Sequence, residues 1–345
     1  MRPDRRAALA WFAAAALAGP APARAAGQPP ATGLDPGRLR RAAARAASLE
    51  QLHGLVVARG GEIALAEAFR GPPLDRPVNV KSVSKTIVAL LAGAAIDRGL
   101  VGGVEARLAE VAPELIPPEA DPRVGALTLA HLLTMQAGLE RTSGPNYGRW
   151  VESRNWVATA LSQPFVAAPG ERMLYSTGSY HVLGAALARR SGRSLLAMAR
   201  AWLGEPLGIA IPPWTRDPQG YYLGGNNMAL SPLDLLRIGE MARQGGLWRG
   251  RPVLSQDWLR ASWIPRTRSP WSGDTYGYGW FLSQARGHPL AYARGYGGQM
   301  LYVVPALGLT IVVTSDPTRP ARSEGHVGAL HALLAEEIVP AAEEA

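Results

Sequence analysis

The sequence predicts an α/β (α+β) fold: one antiparallel sheet built from N- and C-terminal segments, flanked by helices, with a helical lobe inserted between them. Strand-like apolar runs lie at both ends of the chain, helical periodicity and helix caps fill residues 104–260, and 47% of the 345 residues are apolar. Together these describe an ordered globular chain whose sheet is completed by distant segments.

The elements follow in order. Residues 1–25 have a basic start, an apolar run from Ala7 to about Ala18, a Gly19-Pro20 break and a small-residue site at Ala23-Arg24-Ala25. This is the pattern of an export signal cut before Ala26, and the Arg5-Arg6 pair is a loose match to a twin-arginine signal. The expected location is therefore periplasmic or secreted. Residues 26–34 read as a leader, 35–103 and 261–345 as the sheet domain, and 104–260 as the mainly helical domain.

Asp35 and Pro36 predict a capped helix running to about Ser48. The apolar runs around Gly60-Gly61 predict a hairpin. From Ser82 the apolar residues Ile87, Val88, Leu90, Leu91 and Ile96 recur at helical spacing and Gly99 supplies a stop, so Ser82 to Lys85 lies at the start of a buried helix. In the middle, helices are expected from a Thr128 cap to Gly138, through "GSYHVLGAALARRSG" to Gly192, and from a Ser231 cap with Pro232 and Asp234 behind it. The stretches "TYGYGWFLSQA", "PLAYARGYGGQMLYVVP" and "LTIVVTSD" read as strands, the last two joined at Pro305 to Gly308, and a final helix covers about Gly325 to Val339.

Composition excludes several classes of function. The chain has no cysteine, which removes disulfides, thiolate metal sites and cysteine nucleophiles together. No run approaches the ~20 uninterrupted apolar residues of a membrane helix, so no stable membrane span is expected. The formal charge is +9, and without residues 1–25 there remain 32 basic against 26 acidic side chains. Arg38, Arg40, Arg41 and Arg45 cluster on the first helix, where a solvated face is a simpler reading than nucleic-acid binding. No phosphate loop or dinucleotide fingerprint occurs, so no cofactor is expected. His53, His131, His181, His288, His326 and His331 show no metal spacing, and His131 and His181 read as satisfied core residues. Asp217 and Asp234 read as turn and cap residues.

One use of residues stands apart. Every basic side chain outside "VNVKSVSKTIVALL" is arginine; the only lysines in the chain are Lys81 and Lys85. Arginine does not give up its proton in a protein, whereas lysine can. Ser82 and Lys85 are three apart on a helix and can touch. A neutral Lys85 amine could take the Ser82 proton once burial or nearby cations lower its pKa, and a helix start favours a developing anion. Lys81 and Ser84 share the spacing, but Lys81 sits in the extended "VNVK". Lys81 has two readings: repulsion that keeps Lys85 neutral, or no role.

Two more segments complete a pattern. Ser82-Val83-Ser84-Lys85, Tyr175-Ser176-Thr177 and Tyr296-Gly297-Gly298 occur in this order, with "AIDRGL", "HLLTMQAGL", "YGYGW" and "GGQMLYVVPALGLTIVVTSD" around them. The chain from Leu52 onward thus resembles the serine β-lactamase-like family, which includes class C β-lactamases, penicillin-binding DD-peptidases, and related esterases and amide hydrolases. The resemblance implies a β-lactamase/transpeptidase-like fold. It also implies Ser82 as nucleophile, Lys85 as its proton acceptor, Tyr175 as a phenol that passes the proton to the leaving group, and the backbone N–H groups of Ser82 and Gln299 as oxyanion hole.

Two departures shift the expected chemistry. Thr177 stands where that family usually has asparagine, and Tyr296 where it usually has lysine. Arg294, two residues earlier on the same strand face, is a candidate replacement cation beside Gly297 and Gly298. The segment "WTRDPQGYYLGGNNMALSP" is similar to the 6-aminohexanoate-dimer hydrolase branch, with Trp214, Tyr221, Tyr222 and Trp271 as candidate acyl-pocket walls, although such rings serve equally as packing. The expectation is an exported serine hydrolase of small esters or amides. The alternatives are a β-lactamase or D-alanyl-D-alanine carboxypeptidase, and a non-catalytic binder of cell-wall peptide on the same fold. The partner is in each case a small ester, amide or peptide-like molecule.

Overall fold

The computed structural model describes residues 32–344, so the segment 1–25 expected to be an export signal and most of the expected leader lie outside the described residues. Helix α1 (Pro36–Ser48) is capped by Asp35, whose carboxylate accepts from the Arg38 N–H. The hairpin of β1 (Leu52–Arg59) and β2 (Glu62–Ala68) follows, then helix α2 (Val83–Asp97). The middle of the chain is helical, with α3 (Thr177–Ser191) and α4 (Pro232–Arg243) its longest members. The C-terminal part supplies β3 (Thr267–Arg268), β4 (Thr275–Tyr276), β5 (Phe281–Ala285), β6 (His288–Gly295), β7 (Gln299–Val304) and β8 (Leu309–Ser315), then α5 (His326–Leu333).

These strands form one eight-stranded antiparallel sheet in the order β2-β1-β8-β7-β6-β5-β4-β3. The N-terminal hairpin thus pairs with the last strand, Val56 opposite Val312. Leu301 and Tyr302 are neighbours on β7 and point to opposite faces. Gly239 of α4 packs on Leu301, while His331 of α5 meets Tyr302, so helices cover both faces. That is why β7 and β8 are buried at every position and show no polar alternation. The outer strand β2 carries Glu62 and Glu67 and is mostly exposed, which discourages pairing with another chain. Among the described residues no helix is long and apolar enough to cross a membrane.

The structure departs from the sequence reading in five places. The helix begun at Thr128 stops at Leu133, because Met135 turns the chain at φ +56° and its carbonyl accepts from the Leu174 N–H. The run at 275–285 is two strands, since Gly277 N–H donates to the Trp280 carbonyl in a turn. The run at 289–305 is a hairpin with the third motif at its tip. The last helix continues through a π-turn at Leu334–Ile338 to Glu343, with Pro340 near the start of the final segment, where its missing N–H is tolerated. The arginines of α1 are not simply solvated: Arg38, Arg41 and Arg45 pair with Glu344, Glu337 and Glu336 on the C-terminal segment.

Helix α2 is the core element, buried without interruption from Val83 to Ala95. Its one interior glycine has a steric cause: a Cβ on Gly93 would lie 2.3 Å from the Trp258 ring. Gly93→Ala is therefore expected to destabilise the fold by about 1–3 kcal/mol despite alanine's better helix propensity. Urea unfolding checks this; equal or greater stability of the variant would contradict the packing account.

Candidate active site

Ser82 is presented by a strained turn. A two-residue ladder, Val78–Asn79 with Ala229–Leu230, brings the chain to the start of α2. Lys81 then adopts φ +50°, and Asn227 across the ladder adopts φ +63°. Left-handed backbone at non-glycine residues costs on the order of 1–3 kcal/mol each and persists only where surroundings impose it. Here Asn79 imposes it: its Oδ1 accepts from the Lys81 N–H (2.9 Å) and its Nδ2 donates to Asn227 Oδ1 (3.2 Å). Ser84 ties the two segments together, donating to the Lys81 carbonyl at 2.6 Å and accepting from the Met228 N–H at 3.1 Å. Its hydroxyl is thereby committed to backbone, which disposes of the Lys81–Ser84 pair. Ser82 occupies the N-cap position of α2 but makes no side-chain cap bond, so its hydroxyl is available.

The Lys85 amine lies 2.9 Å from Ser82 Oγ, 3.2 Å from Thr177 Oγ1 and 2.7 Å from the Gly225 carbonyl. Burial lowers its pKa from 10.5 to about 7, with no carboxylate beside it among the described residues. The three contacts suit a neutral amine: two protons given to Gly225 and Thr177, and one lone pair left for the Ser82 proton. Burial alone accounts for the shift, so repulsion from Lys81 is not needed. Lys81 itself lines the cavity, and partial burial lowers its pKa too.

Tyr175 covers the amine from one side, its ring centroid 4.8 Å from Lys85 Nζ. Burial raises the phenol's pKa, opposed by its hydrogen bond to Ser82 and by Arg294. The phenol thus keeps its proton at neutral pH. Thr177, the third residue of the same motif, opens α3. It bonds Ser143 as well as Lys85, with Oγ atoms 2.9 Å apart, and Ser143 Oγ also accepts the Thr177 N–H at 2.8 Å. Thr142 Oγ1 takes the Gly178 N–H at 2.8 Å. Residues 142–143 therefore cap α3 from a distant segment and fix the hydroxyl that contacts the lysine.

The third motif closes the site. Gly295 allows the end of β6 to approach the turn before Ser82, since a Cβ there would lie 2.4 Å from the Val80 carbonyl oxygen. Gly297 and Gly298 make the turn at φ +84° and +98°. Gln299 is fully buried, with its side chain bonded to both backbone groups of Ser315 and so not free to act in the site. The Ser82 N–H has no acceptor among the described residues.

A cavity of about 460 Å³ opens onto Ser82, and Tyr175, Thr177, Trp271, Arg294 and Tyr296 share its wall. Its lining is largely apolar. Tyr296 and Trp271 stand half-exposed at 53% and 38%, and Trp271 packs edge-on against Tyr175. Arg294 has no hydrogen-bond or carboxylate partner among the described residues, whereas Arg322, also on the wall, donates to the Trp271 carbonyl.

Trp214 and Tyr222, read from the sequence as pocket walls, do not line this cavity, and neither does Tyr221. Trp214 packs on Tyr222 with ring centroids 4.6 Å apart and planes tilted by 44°, donates its indole N–H to the Leu223 carbonyl, and packs on the cluster of Trp150, Trp156 and Leu223. Tyr147 and Asn226 take wall positions instead, joined by a 3.1 Å hydrogen bond. The sequence reading also missed the support of the Gly225 carbonyl. His181 is a core residue, but its Nε2 lies 2.9 Å from buried Asp217 and its Nδ1 accepts the Gly224 N–H, anchoring the Leu223–Gly224 peptide on the approach to Gly225. Asp217 is therefore more than a turn residue. The only sequence signals for this support were the Gly224-Gly225 pair and a histidine in an apolar helix. Among the described residues no group of His, Asp and Glu could hold a metal ion.

Comparison with known proteins identifies the fold and the family. Esterase EstB of Burkholderia gladioli is 32% identical over 176 residues, a match covering 45% of this chain and 44% of that esterase. The fold is similar to a 6-aminohexanoate-dimer hydrolase from Bacillus anthracis (TM-score 0.70, 17% identity, 86% of this chain and 80% of that one). It is also similar to a β-lactamase from Bacteroides dorei (TM-score 0.73, 16% identity, 90% and 99%). The family model described as Beta-lactamase matches residues 41–336, and the chain belongs to that family.

Proposed function

We propose that this protein is an exported serine hydrolase that cleaves small carboxylic esters or amides through an acyl-enzyme on Ser82. The observation that carries the reading is the Lys85 amine, buried with no carboxylate beside it among the described residues and 2.9 Å from Ser82 Oγ. In the proposed cycle the amine takes the Ser82 proton as Oγ attacks the substrate carbonyl. The Ser82 and Gln299 backbone N–H groups hold the oxyanion. Tyr175 gives its proton to the leaving oxygen or nitrogen and recovers one from the Lys85 ammonium. Water then releases the acid by the reverse path. Similarity to EstB over part of the chain favours esters, as does tyrosine in place of the third-motif lysine. Export rests on the basic, apolar and small-residue pattern of residues 1–25.

Intact-mass spectrometry after a fluorophosphonate probe, with p-nitrophenyl butyrate turnover on the same samples, tests the reading. One adduct and turnover are expected for the wild type, both lost in Ser82→Ala, with kcat lower by about 1000-fold or more. No adduct on folded wild type would favour the binding-protein alternative, and nitrocefin turnover as fast as ester turnover would favour a β-lactamase. The lysine also dictates the pH dependence. Its pKa is depressed to about 7, and only the neutral amine accepts a proton, so kcat/KM is expected to rise through pH 7 and level above it. A flat profile from pH 5 to 9 would contradict the assignment.

Arg294, on the cavity wall with no hydrogen-bond or carboxylate partner among the described residues, gives the site a cation for an acidic acyl or leaving group. Arg294→Ala is expected to raise KM for a succinyl half-ester about 10-fold relative to the neutral butyrate ester, in line with the loss of a charge-assisted hydrogen bond. An unchanged ratio would remove this part of the reading.

A further inference from the structure

The peptide between Gly298 and Gln299 is held from behind by two residues outside the three motifs. Ser315 Oγ donates to the Gly298 carbonyl at 3.1 Å and lies 3.0 Å from His326 Nε2, with both contacts buried. A serine hydroxyl has a single proton. Because that proton goes to the carbonyl, His326 must carry hydrogen on Nε2 and donate it to Ser315 Oγ. The histidine ring also packs directly on the turn, since a Cβ on Gly298 would sit 2.7 Å from His326 Cδ2. The Ser315 backbone is fixed as well, its N–H on Gln299 Oε1 (3.1 Å) and its carbonyl on Gln299 Nε2 (2.6 Å).

A trans peptide is one rigid plane in which C=O and N–H point in opposite directions. The Gly298 carbonyl and the Gln299 N–H belong to the same plane, so whatever pins the carbonyl aims the N–H. We propose that Ser315 and His326 are positioning residues for the oxyanion hole: His326 orients the Ser315 hydroxyl, which anchors the Gly298 carbonyl and so aims the Gln299 N–H at the oxyanion. This inference rests on the acyl-enzyme reading above. It explains why a buried histidine at the first turn of α5 contacts a serine at the end of β8, and why both converge on a turn of glycines. Neither residue reaches the substrate, so the effect belongs to the transition state and not to substrate binding.

The test compares Ser315→Ala, His326→Leu and His326→Gln with wild type and Ser82→Ala. The readouts are kcat and KM for p-nitrophenyl butyrate, the inhibition constant of an alkyl trifluoromethyl ketone, and the melting temperature. The ketone's adduct with Ser82 carries an oxyanion of its own. Ser315→Ala and His326→Leu are expected to lower kcat about 10- to 100-fold, somewhat less than outright loss of an oxyanion donor. KM should change by less than about 2-fold, and the ketone should weaken by the same factor as kcat. His326→Gln, whose amide can still donate to Ser315, should recover most of the loss. Folded variants with wild-type kcat and ketone affinity would overturn the inference. A fall in kcat with unchanged ketone affinity would overturn it too. Should His326→Leu fail to fold, Ser315→Ala, which removes a single oxygen, decides the matter. Turnover retained by Ser82→Ala would overturn the hydrolase reading itself, whereas loss in Ser82→Ala with full activity in Ser315→Ala would overturn only the positioning role.

Discussion

The structure depends on keeping one amine out of water. A buried lysine is unfavourable as a cation, and the surroundings of Lys85, with no carboxylate beside it among the described residues, lower its pKa to about 7 at 2.9 Å from a serine hydroxyl. The fold supplies the burial: α2 runs through the core, and the sheet closes behind it by joining the two ends of the chain. An arginine in that place would stay charged and could not accept a proton. The proposed proton transfer therefore requires lysine, not arginine, at position 85. For Lys81, at the mouth of the same site, the structure offers position but no comparable necessity.

Around that amine the site is assembled from backbone as much as from side chains. The Gly225 carbonyl, the Ser82 N–H and the Gln299 N–H are groups that any residue would provide; what matters is where they point. Side chains distant in sequence set that direction. His181 and Asp217 fix the approach to Gly225, Thr142 and Ser143 cap the helix that begins with Thr177, and Asn79 stabilises the left-handed turn before Ser82. In the proposed arrangement each part is thus anchored by a hydrogen bond from a distant segment of the chain.

Much of this was legible in the sequence for physical reasons. Serine and lysine three apart at a helix start can only face the same way, and that relation is local. Sheet closure was legible because strand-like runs at both ends need each other to bury their faces. What was not legible depends on turns and on long-range contact. "PLAYARGYGGQMLYVVP" reads as one apolar run because both strands of the hairpin are buried on two faces, which erases the alternation that would have marked the turn. Trp214 and Tyr222 have the composition of pocket walls, yet their rings pack on each other and Trp214 packs on the Trp150 cluster. His326 and Ser315 carried no signal, since their relation exists only after β8 and α5 have packed.

The most direct measurement of the central claim uses the scarcity of lysine. With 13Cε-lysine labelling the chain gives only two side-chain signals, Lys81 and Lys85, and Lys85→Met assigns them. The account predicts that the Lys85 signal titrates near pH 7, far below the ordinary lysine value of 10.5. A Lys85 signal titrating near 10.5 in the folded protein would mean that the amine is a cation at neutral pH, and the proposed activation of Ser82 would be wrong.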